Sequence, residues 1–237
     1  AISFKYTGRD PLVVTLTVKA NGKILASTQV TRLRFPDEKQ VVHQSIKQDG
    51  MVGSLYYPAA PGKYPTILWL GGSGGGIEEY PAALLAPRGY AVFALAYFGI
   101  DPLPQTLFEI PLEYFGTAIA WLKTLPYVDP QRIAVMGGSK GGELALLVGA
   151  TYPDIKAVIG YVPSGVVYQG IQGMSSNWQE YQKKPRSSWS LNGKPVPYLL
   201  GAITLDWINL LVGQPIAMRS SYEQPLDDKA AVAAATI

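Results

Sequence analysis

The sequence contains no cysteine and only one histidine, His43. Without cysteine there can be no disulfide, no thiolate nucleophile and no metal site built on thiolate ligands. A zinc site would have to consist almost entirely of carboxylates, so we expect no metal, and no motif indicates a cofactor. A catalytic serine would also have few candidate bases in this chain.

Strong charge and long apolar runs are missing as well. The net charge is only +3 and the basic residues are scattered, which predicts neither nucleic-acid binding nor attachment to a membrane surface. No apolar run approaches the roughly 18 residues of a membrane span, and no signal peptide is recognisable. We therefore expect a cytoplasmic protein with a small-molecule substrate and leave its oligomeric state open. With 237 residues, of which 48% are hydrophobic, the chain can bury a sizeable core.

The first part of the chain has the alternating pattern of β-hairpins. Residues 11–33 alternate apolar and polar side chains around Asn21-Gly22, which is a strong hairpin signal because both turn positions must tolerate positive φ. A second hairpin is predicted over residues 40–57. His43 lies in its first strand, where a surface or half-buried strand residue is the ordinary interpretation.

After Pro65 the pattern changes to continuous apolar runs separated by helical stretches. Runs that are apolar on both faces are typical of parallel strands covered by helices on either side. The alternation predicts an α/β fold with a mostly parallel sheet and helices on both faces. The predicted strands lie at residues 66–70, 90–97, 132–136 and 157–162, and the predicted helices at residues 78–88, 112–125 and 140–151.

Two glycine-rich turns follow predicted strands. The loop Gly71–Gly76 lacks the lysine and the spacing of a phosphate-binding loop, so a nucleotide site is a weak interpretation. Gly137, Ser139 and Gly141 form a G-x-S-x-G pattern between a strand and a helix, the setting in which α/β-hydrolases place their nucleophile. Alternatively, Ser139 would merely cap the helix. We predict Ser139 as a catalytic nucleophile.

The stretches LWLGGSGGGIEEYPAALLAPRGYAVFALAYFG and FGTAIAWLKTLPYVDPQRIAVMGGSKGGELALLVGATYPDIKAVIGYVPSG resemble the acyl-CoA thioesterase and bile-acid-CoA:amino-acid N-acyltransferase family. The resemblance extends over roughly residues 11–237 and is most specific around Ser139. It implies an α/β-hydrolase catalytic domain preceded by a small immunoglobulin-like β domain. By that analogy, residues 1–33 are the end of the β-sandwich domain and residues 34–237 belong to the catalytic domain.

The resemblance also assigns the remaining parts of the site. The backbone N–H groups of Ser73 and Lys140 would form the oxyanion hole. The family's triad runs from serine to aspartate to histidine along the chain, and no histidine follows Ser139. We therefore expect the catalytic domain to be truncated before its triad aspartate and histidine, with a natural pseudo-enzyme as the other explanation. In the truncated case, the longer parent protein would be the serine-dependent thioester hydrolase, and this chain alone would be impaired. None of the downstream acids Asp206, Asp227 and Asp228 is assigned as the triad acid.

Three functions follow from these residues. The first is acyl-CoA thioester hydrolysis through an acyl-enzyme on Ser139, and the second is carboxylic-ester or lactone hydrolysis of the dienelactone-hydrolase type. The third is a non-catalytic binding protein that lacks the base. Three tryptophans could line the substrate pocket, but we interpret them as core because aromatic residues usually pack: Trp178, Trp189 and Trp207. Three basic residues could hold CoA phosphates, but we interpret them as a solvated loop outside the site: Lys183, Lys184 and Arg186.

Overall fold

A six-stranded sheet forms the centre of the protein. The structure, a computed structural model, describes residues 11–33, 35, 39–171, 185–200 and 229–237. The strand order is β3-β4-β6-β5-β8-β9, in which β4 is antiparallel to both neighbours and the other pairs are parallel. These strands are β3 (Val41–Gln48), β4 (Met51–Pro58), β5 (Tyr64–Leu70), β6 (Ala91–Ala96), β8 (Val128–Gly138) and β9 (Ile155–Tyr161).

Helices cover both faces of this sheet, as the continuous apolar runs predicted. The helices are α1 (Tyr80–Leu85), α2 (Leu112–Thr124) and α3 (Lys140–Thr151). Side chains of α2 and α3 pack on Leu68 and Leu70 of β5, whereas those of α1 pack on Ile67 and Trp69 of the same strand. Since neighbouring strand residues point to opposite faces, one strand contributes to two separate cores. The predicted α/β architecture is confirmed.

The observed elements differ from the predicted ones mainly at their ends. The helix predicted over residues 78–88 begins at Tyr80 and finishes as a 3-10 turn over Ala86–Arg88. The strand predicted over residues 132–136 is much longer and reaches Gly138, directly before the predicted nucleophile. That extension carries the chain to the carboxyl edge of the sheet, where open α/β sheets form their sites.

The first hairpin stands outside the main sheet. Strands β1 (Leu12–Ala20) and β2 (Lys23–Arg32) pair only with each other, through a turn in which Asn21 and Gly22 have φ of 49° and 77°. This confirms the hairpin itself. Its side chains are mostly exposed, including Leu16 and Val18 at 55% and 60%. Its origin in an immunoglobulin-like domain remains a prediction.

A small second sheet, which the sequence pattern did not predict, lies beside α2. It consists of β7 (Ile110–Pro111), β10 (Trp189–Leu191) and β11 (Lys194–Pro195). A further helix in the described residues, α4 (Lys229–Ala235), is connected to the chain that follows β9 by a hydrogen bond from the Val167 N–H to the Ala235 carbonyl. None of the helices in the described residues is long and apolar enough to cross a membrane.

Candidate active site

Ser139 lies on a sharp turn between the end of β8 and the start of α3. Its backbone has φ 54° and ψ −120°, a left-handed conformation that a residue with a side chain rarely adopts. The backbone carbonyl of Ser139 accepts the N–H groups of Gly142 and Glu143 at 2.9 and 3.2 Å. The side chain makes no capping bond to the helix, so the helix-cap interpretation does not describe this residue. Strand, strained turn and helix together form the arrangement of a nucleophile elbow.

Two glycines leave the space that this turn needs. A Cβ atom on Gly137 would lie 2.1 Å from the Gly141 carbonyl oxygen. A Cβ atom on Gly141 would lie 2.3 Å from the carbonyl oxygens of both Leu70 and Gly71. Real Cβ atoms do not approach a backbone oxygen this closely, so the turn and the neighbouring loop can pack together only if both positions are glycine.

The loop Gly71–Gly76 lies directly against the elbow. A Cβ atom on Gly72 would sit 3.6 Å from the Ser139 Cβ atom, in ordinary contact. The loop is closed by a bond from the Gly76 N–H to the Phe98 carbonyl at 2.8 Å, and the Tyr97 hydroxyl donates to the Gly71 carbonyl at 2.5 Å. Ser73 follows Gly72 and is exposed. The structure therefore brings the Ser73 loop to Ser139, as the predicted oxyanion hole requires.

The strand beyond the elbow also contributes to its shape. The backbone N–H of Ser139 donates to the Tyr161 carbonyl at 2.9 Å, at the carboxyl end of β9. The next residue, Val162, has φ 47°, which is a marked strain for a β-branched side chain. Strained residues on two adjacent strand ends are typical of functional sites.

A buried ion pair lies immediately beneath the elbow, and sequence reasoning missed it. The Lys140 Nζ atom is 2.7 Å from Glu143 Oε1 and 2.9 Å from Oε2, and the two side chains are 8% and 2% exposed. Burial lowers the pKa of the Lys140 ammonium and raises the pKa of the Glu143 carboxyl, while the attraction between the two groups opposes both shifts. The i, i+3 spacing of a lysine and a glutamate at a helix start was the signal that could have revealed it.

His43 is far from Ser139. In the strand register, His43 is level with Ala134, five residues before Ser139, and three strands separate β3 from β8. At about 4.8 Å per strand, the lateral separation alone is about 19 Å. The His43 ring instead stacks on Tyr56 at 4.4 Å, and its Nε2 atom is 3.7 Å from Glu79 Oε1. His43 is a half-buried strand residue, as expected, and it cannot deprotonate Ser139.

The other residues considered from the sequence fall into two groups. Trp189 is fully buried and packs with Tyr97 and Phe115, which agrees with its interpretation as core. Arg186 is bound by Glu109, to which its guanidinium donates at 2.7 and 3.1 Å. The remaining residues lie outside the described part of the chain: Trp178, Lys183, Lys184, Asp206, Trp207, Asp227 and Asp228.

The second strand of the sheet, β4, is antiparallel to its neighbours, and the elbow follows the parallel strand β8. These two features define the protein as an α/β hydrolase by fold. Residues 110–196 match the sequence family described as "BAAT / Acyl-CoA thioester hydrolase C terminal". The predicted resemblance is confirmed: the chain is similar to members of the acyl-CoA thioesterase and bile-acid-CoA:amino-acid N-acyltransferase family.

Two relatives illustrate this similarity. The human mitochondrial acyl-coenzyme A thioesterase 2 is 36% identical over 156 residues, covering 64% of this chain and 32% of that protein. The rat acyl-coenzyme A amino acid N-acyltransferase 2 is 36% identical over 134 residues, covering 52% of this chain and 32% of that protein. The chain thus spans about a third of the length of these relatives. Among solved structures, esterase Est22 is similar with 18% identity and a TM-score of 0.45, covering 59% of this chain and 48% of that one.

Proposed function

We propose that the protein is a serine-dependent hydrolase of acyl-CoA thioesters, with Ser139 as the nucleophile. The observation that carries the proposal is the backbone of Ser139, at φ 54° and ψ −120°, on a glycine-dependent turn that faces a glycine-rich loop. This geometry presents a hydroxyl at a helix start, where free N–H groups and the helix dipole favour developing negative charge. The acyl-CoA class of substrate comes from the names of the relatives.

In the proposed reaction, the Ser139 oxygen attacks the thioester carbonyl carbon and forms a tetrahedral oxyanion. The backbone N–H groups of Ser73 and Lys140 would bind that oxyanion, and Lys140 is suited to this because the first N–H of a helix has no intrahelical acceptor. Collapse of the intermediate breaks the carbon–sulfur bond, and the CoA sulfur leaves as the thiol with the proton that the Ser139 hydroxyl gives up. Water then hydrolyses the acyl-enzyme to the free acid and regenerates Ser139. His43 has no part in these steps.

The proposal extends to domains and location. We assign residues 1–33 to the end of a β-sandwich domain and residues 34–237 to the catalytic domain, a division supported by the separate sheet of β1 and β2. We also propose a cytoplasmic location for the protein, although the human, rat and mouse acyl-coenzyme A thioesterase 2 relatives are named as mitochondrial.

Release of the CoA thiol tests the function directly. The chain has no cysteine, so a thiol reagent reports only the product when palmitoyl-CoA is added. Since no histidine follows Ser139 in this sequence, we expect slow thiol release that depends on Ser139 and is lost in Ser139→Ala, together with a palmitoyl adduct on Ser139 in the intact mass. Hydrolysis of a simple aryl ester, with no adduct from palmitoyl-CoA, would favour the ester hydrolase instead. Failure with both substrates, even with free imidazole added as a base, would contradict hydrolysis altogether.

A further inference from the structure

The ammonium group of Lys140 donates hydrogen bonds only to acceptors within the protein. Besides the two Glu143 oxygens, the Nζ atom donates to the Tyr168 carbonyl at 2.8 Å. A lysine ammonium has three protons, and all three have acceptors here. The Lys140 side chain therefore has no proton to offer to a substrate, and its role must be exerted through the position of its own backbone.

The Glu143 carboxylate is equally occupied, by groups from distant parts of the chain. The Trp189 indole N–H donates to Oε1 at 2.8 Å, and the Tyr168 backbone N–H is 3.3 Å from Oε2. The first turn of α3 is thus bound to the segment after β9 and to β10. A buried ion pair is weak evidence for stability, because desolvation offsets most of its attraction. A fixed geometry is the more direct consequence of so many bonds.

The same cluster reaches the loop on the other side of the elbow. The Tyr97 ring packs on Trp189 at 5.8 Å between centroids, and its hydroxyl donates to Gly71, the first residue of the loop that carries Ser73. Burial and the nearby Glu143 charge raise the pKa of Tyr97, so its hydroxyl keeps the proton that it donates.

We propose that Lys140, Glu143, Trp189 and Tyr97 form one positioning cluster that holds both oxyanion donors, Lys140 through α3 and Ser73 through the Gly71 carbonyl. The inference rests on the proposed function for its catalytic consequence, but its structural content stands on the contacts alone. All four side chains are positioning residues, since none of them presents a free group to the substrate.

Amide hydrogen exchange of the full chain tests the structural content. Tyr97→Phe removes only the hydroxyl and should speed exchange of the Gly76 N–H by about tenfold. Trp189→Phe keeps an aromatic ring but removes the indole N–H, and it should speed exchange of the Gly142 and Glu143 N–H groups by a similar factor. If Tyr97 and Trp189 contributed only to overall stability, both substitutions would instead raise the amide exchange rates throughout the central sheet.

Matched controls come from a tyrosine and a tryptophan outside the cluster. Tyr114 donates its hydroxyl to the Ala96 carbonyl at 2.6 Å, and Trp121 packs on Phe93 at 5.1 Å. Tyr114→Phe and Trp121→Phe should leave exchange at the loop and elbow within twofold of the wild type. Equal effects in controls and test variants, or no local change in either test variant, would overturn the proposal.

Steady-state kinetics separates this inference from the proposed function. We expect Tyr97→Phe and Trp189→Phe to lower kcat for palmitoyl-CoA about tenfold, with KM within twofold of the wild type. Removing an oxyanion donor lowers kcat by about 10²–10³-fold, and a donor that is only displaced should lower it less. A wild-type protein without thioesterase activity, even with added imidazole, would overturn the function, while exchange would still decide the contacts. Local exchange changes with an unaltered kcat in an active protein would overturn the positioning role.

Discussion

Two serines of this protein have opposite surroundings. Ser54 in β4 is buried and donates to Glu79, whose other oxygen accepts the Tyr56 hydroxyl at 3.2 Å, and His43 lies 3.7 Å from the same carboxylate. A serine, a carboxylate and a histidine are therefore together at the antiparallel edge of the sheet. Ser139 has no histidine nearby among the described residues, but it has the strained turn, the helix start and the glycine loop.

The difference shows that backbone geometry, rather than the residue types present, defines the candidate site. Ser54 lies in a regular strand and hydrogen-bonds the carboxylate itself, so no imidazole stands between them as in a serine–histidine–acid triad. Its oxygen is also buried, out of reach of a substrate. Within the described part of the chain, Ser139 has no histidine in its surroundings, but it could still present its oxygen to a carbonyl group.

The largest expected effect is the loss of acylation in Ser139→Ala. With palmitoyl-CoA, the intact-mass adduct should disappear in Ser139→Ala and remain at the wild-type level in Ser54→Ala. Ser54→Ala should instead lower the free energy of unfolding by about 1–2 kcal/mol, because it removes a hydrogen bond to a charged group. Urea unfolding and mass spectrometry of both variants measure the two outcomes. An adduct that maps to Ser54 would contradict the assignment of Ser139 as the nucleophile.

The second prediction concerns the glycines of the elbow. Gly141→Ala should destabilise the protein by about 3 kcal/mol or more, since its Cβ atom would lie 2.3 Å from two backbone oxygens that cannot move aside. Gly138→Ala is the matched control because a Cβ atom there would meet nothing within 4 Å. Its free energy of unfolding should stay within about 1 kcal/mol of the wild type. Similar urea midpoints for the two variants would contradict the packing of the loop against the turn.

The sequence predicted the features that depend on local patterns and missed those that depend on contacts between distant residues. The α/β fold, the two hairpins and the elbow at Ser139 were predictable because apolar runs and glycine positions are local features. The bonds of Glu143 to Trp189 and Tyr168 were not, since they join residues 46 and 25 positions apart. Pairings of that kind depend on how the segment after β9 folds back, which no local pattern encodes. The small sheet of β7, β10 and β11 was missed for the same reason.

The third prediction concerns the base that Ser139 would need. Free imidazole at high concentration should increase Ser139-dependent thiol release from palmitoyl-CoA by about tenfold, because it can accept the serine proton without the benefit of being positioned. His43→Ala should leave the rate unchanged, with or without imidazole, because His43 is about 19 Å away across the sheet. The thiol assay at several imidazole concentrations measures both. A rate that falls in His43→Ala would place the base at the antiparallel edge and remove the contrast between the two serines.

The smallest expected effect concerns the ion pair of Glu109 and Arg186, which lies outside the elbow and should contribute only to stability. The hydrogen bond from Arg186 lowers the pKa of Glu109, with the Arg186 charge adding to it, so the pair stabilises the fold above the ordinary carboxyl pKa of 4.5. That contribution is lost as the pH falls from 4.5 through the lowered pKa of the folded state. Both side chains are substantially exposed, so screening limits the contribution to about 0.5 kcal/mol.

Glu109→Gln should therefore be less stable than the wild type by about 0.5 kcal/mol at pH 7 and equal to it near pH 3, with acylation of Ser139 unchanged. Arg186→Gln is the matched control, since it breaks the same pair and also removes the guanidinium from the Phe108 ring, 5.3 Å away. It should show the same change with pH plus a loss that does not depend on pH. Urea unfolding at the two pH values measures these differences. A stability gap that is equal at both pH values would show that the carboxylate charge is not what holds Arg186.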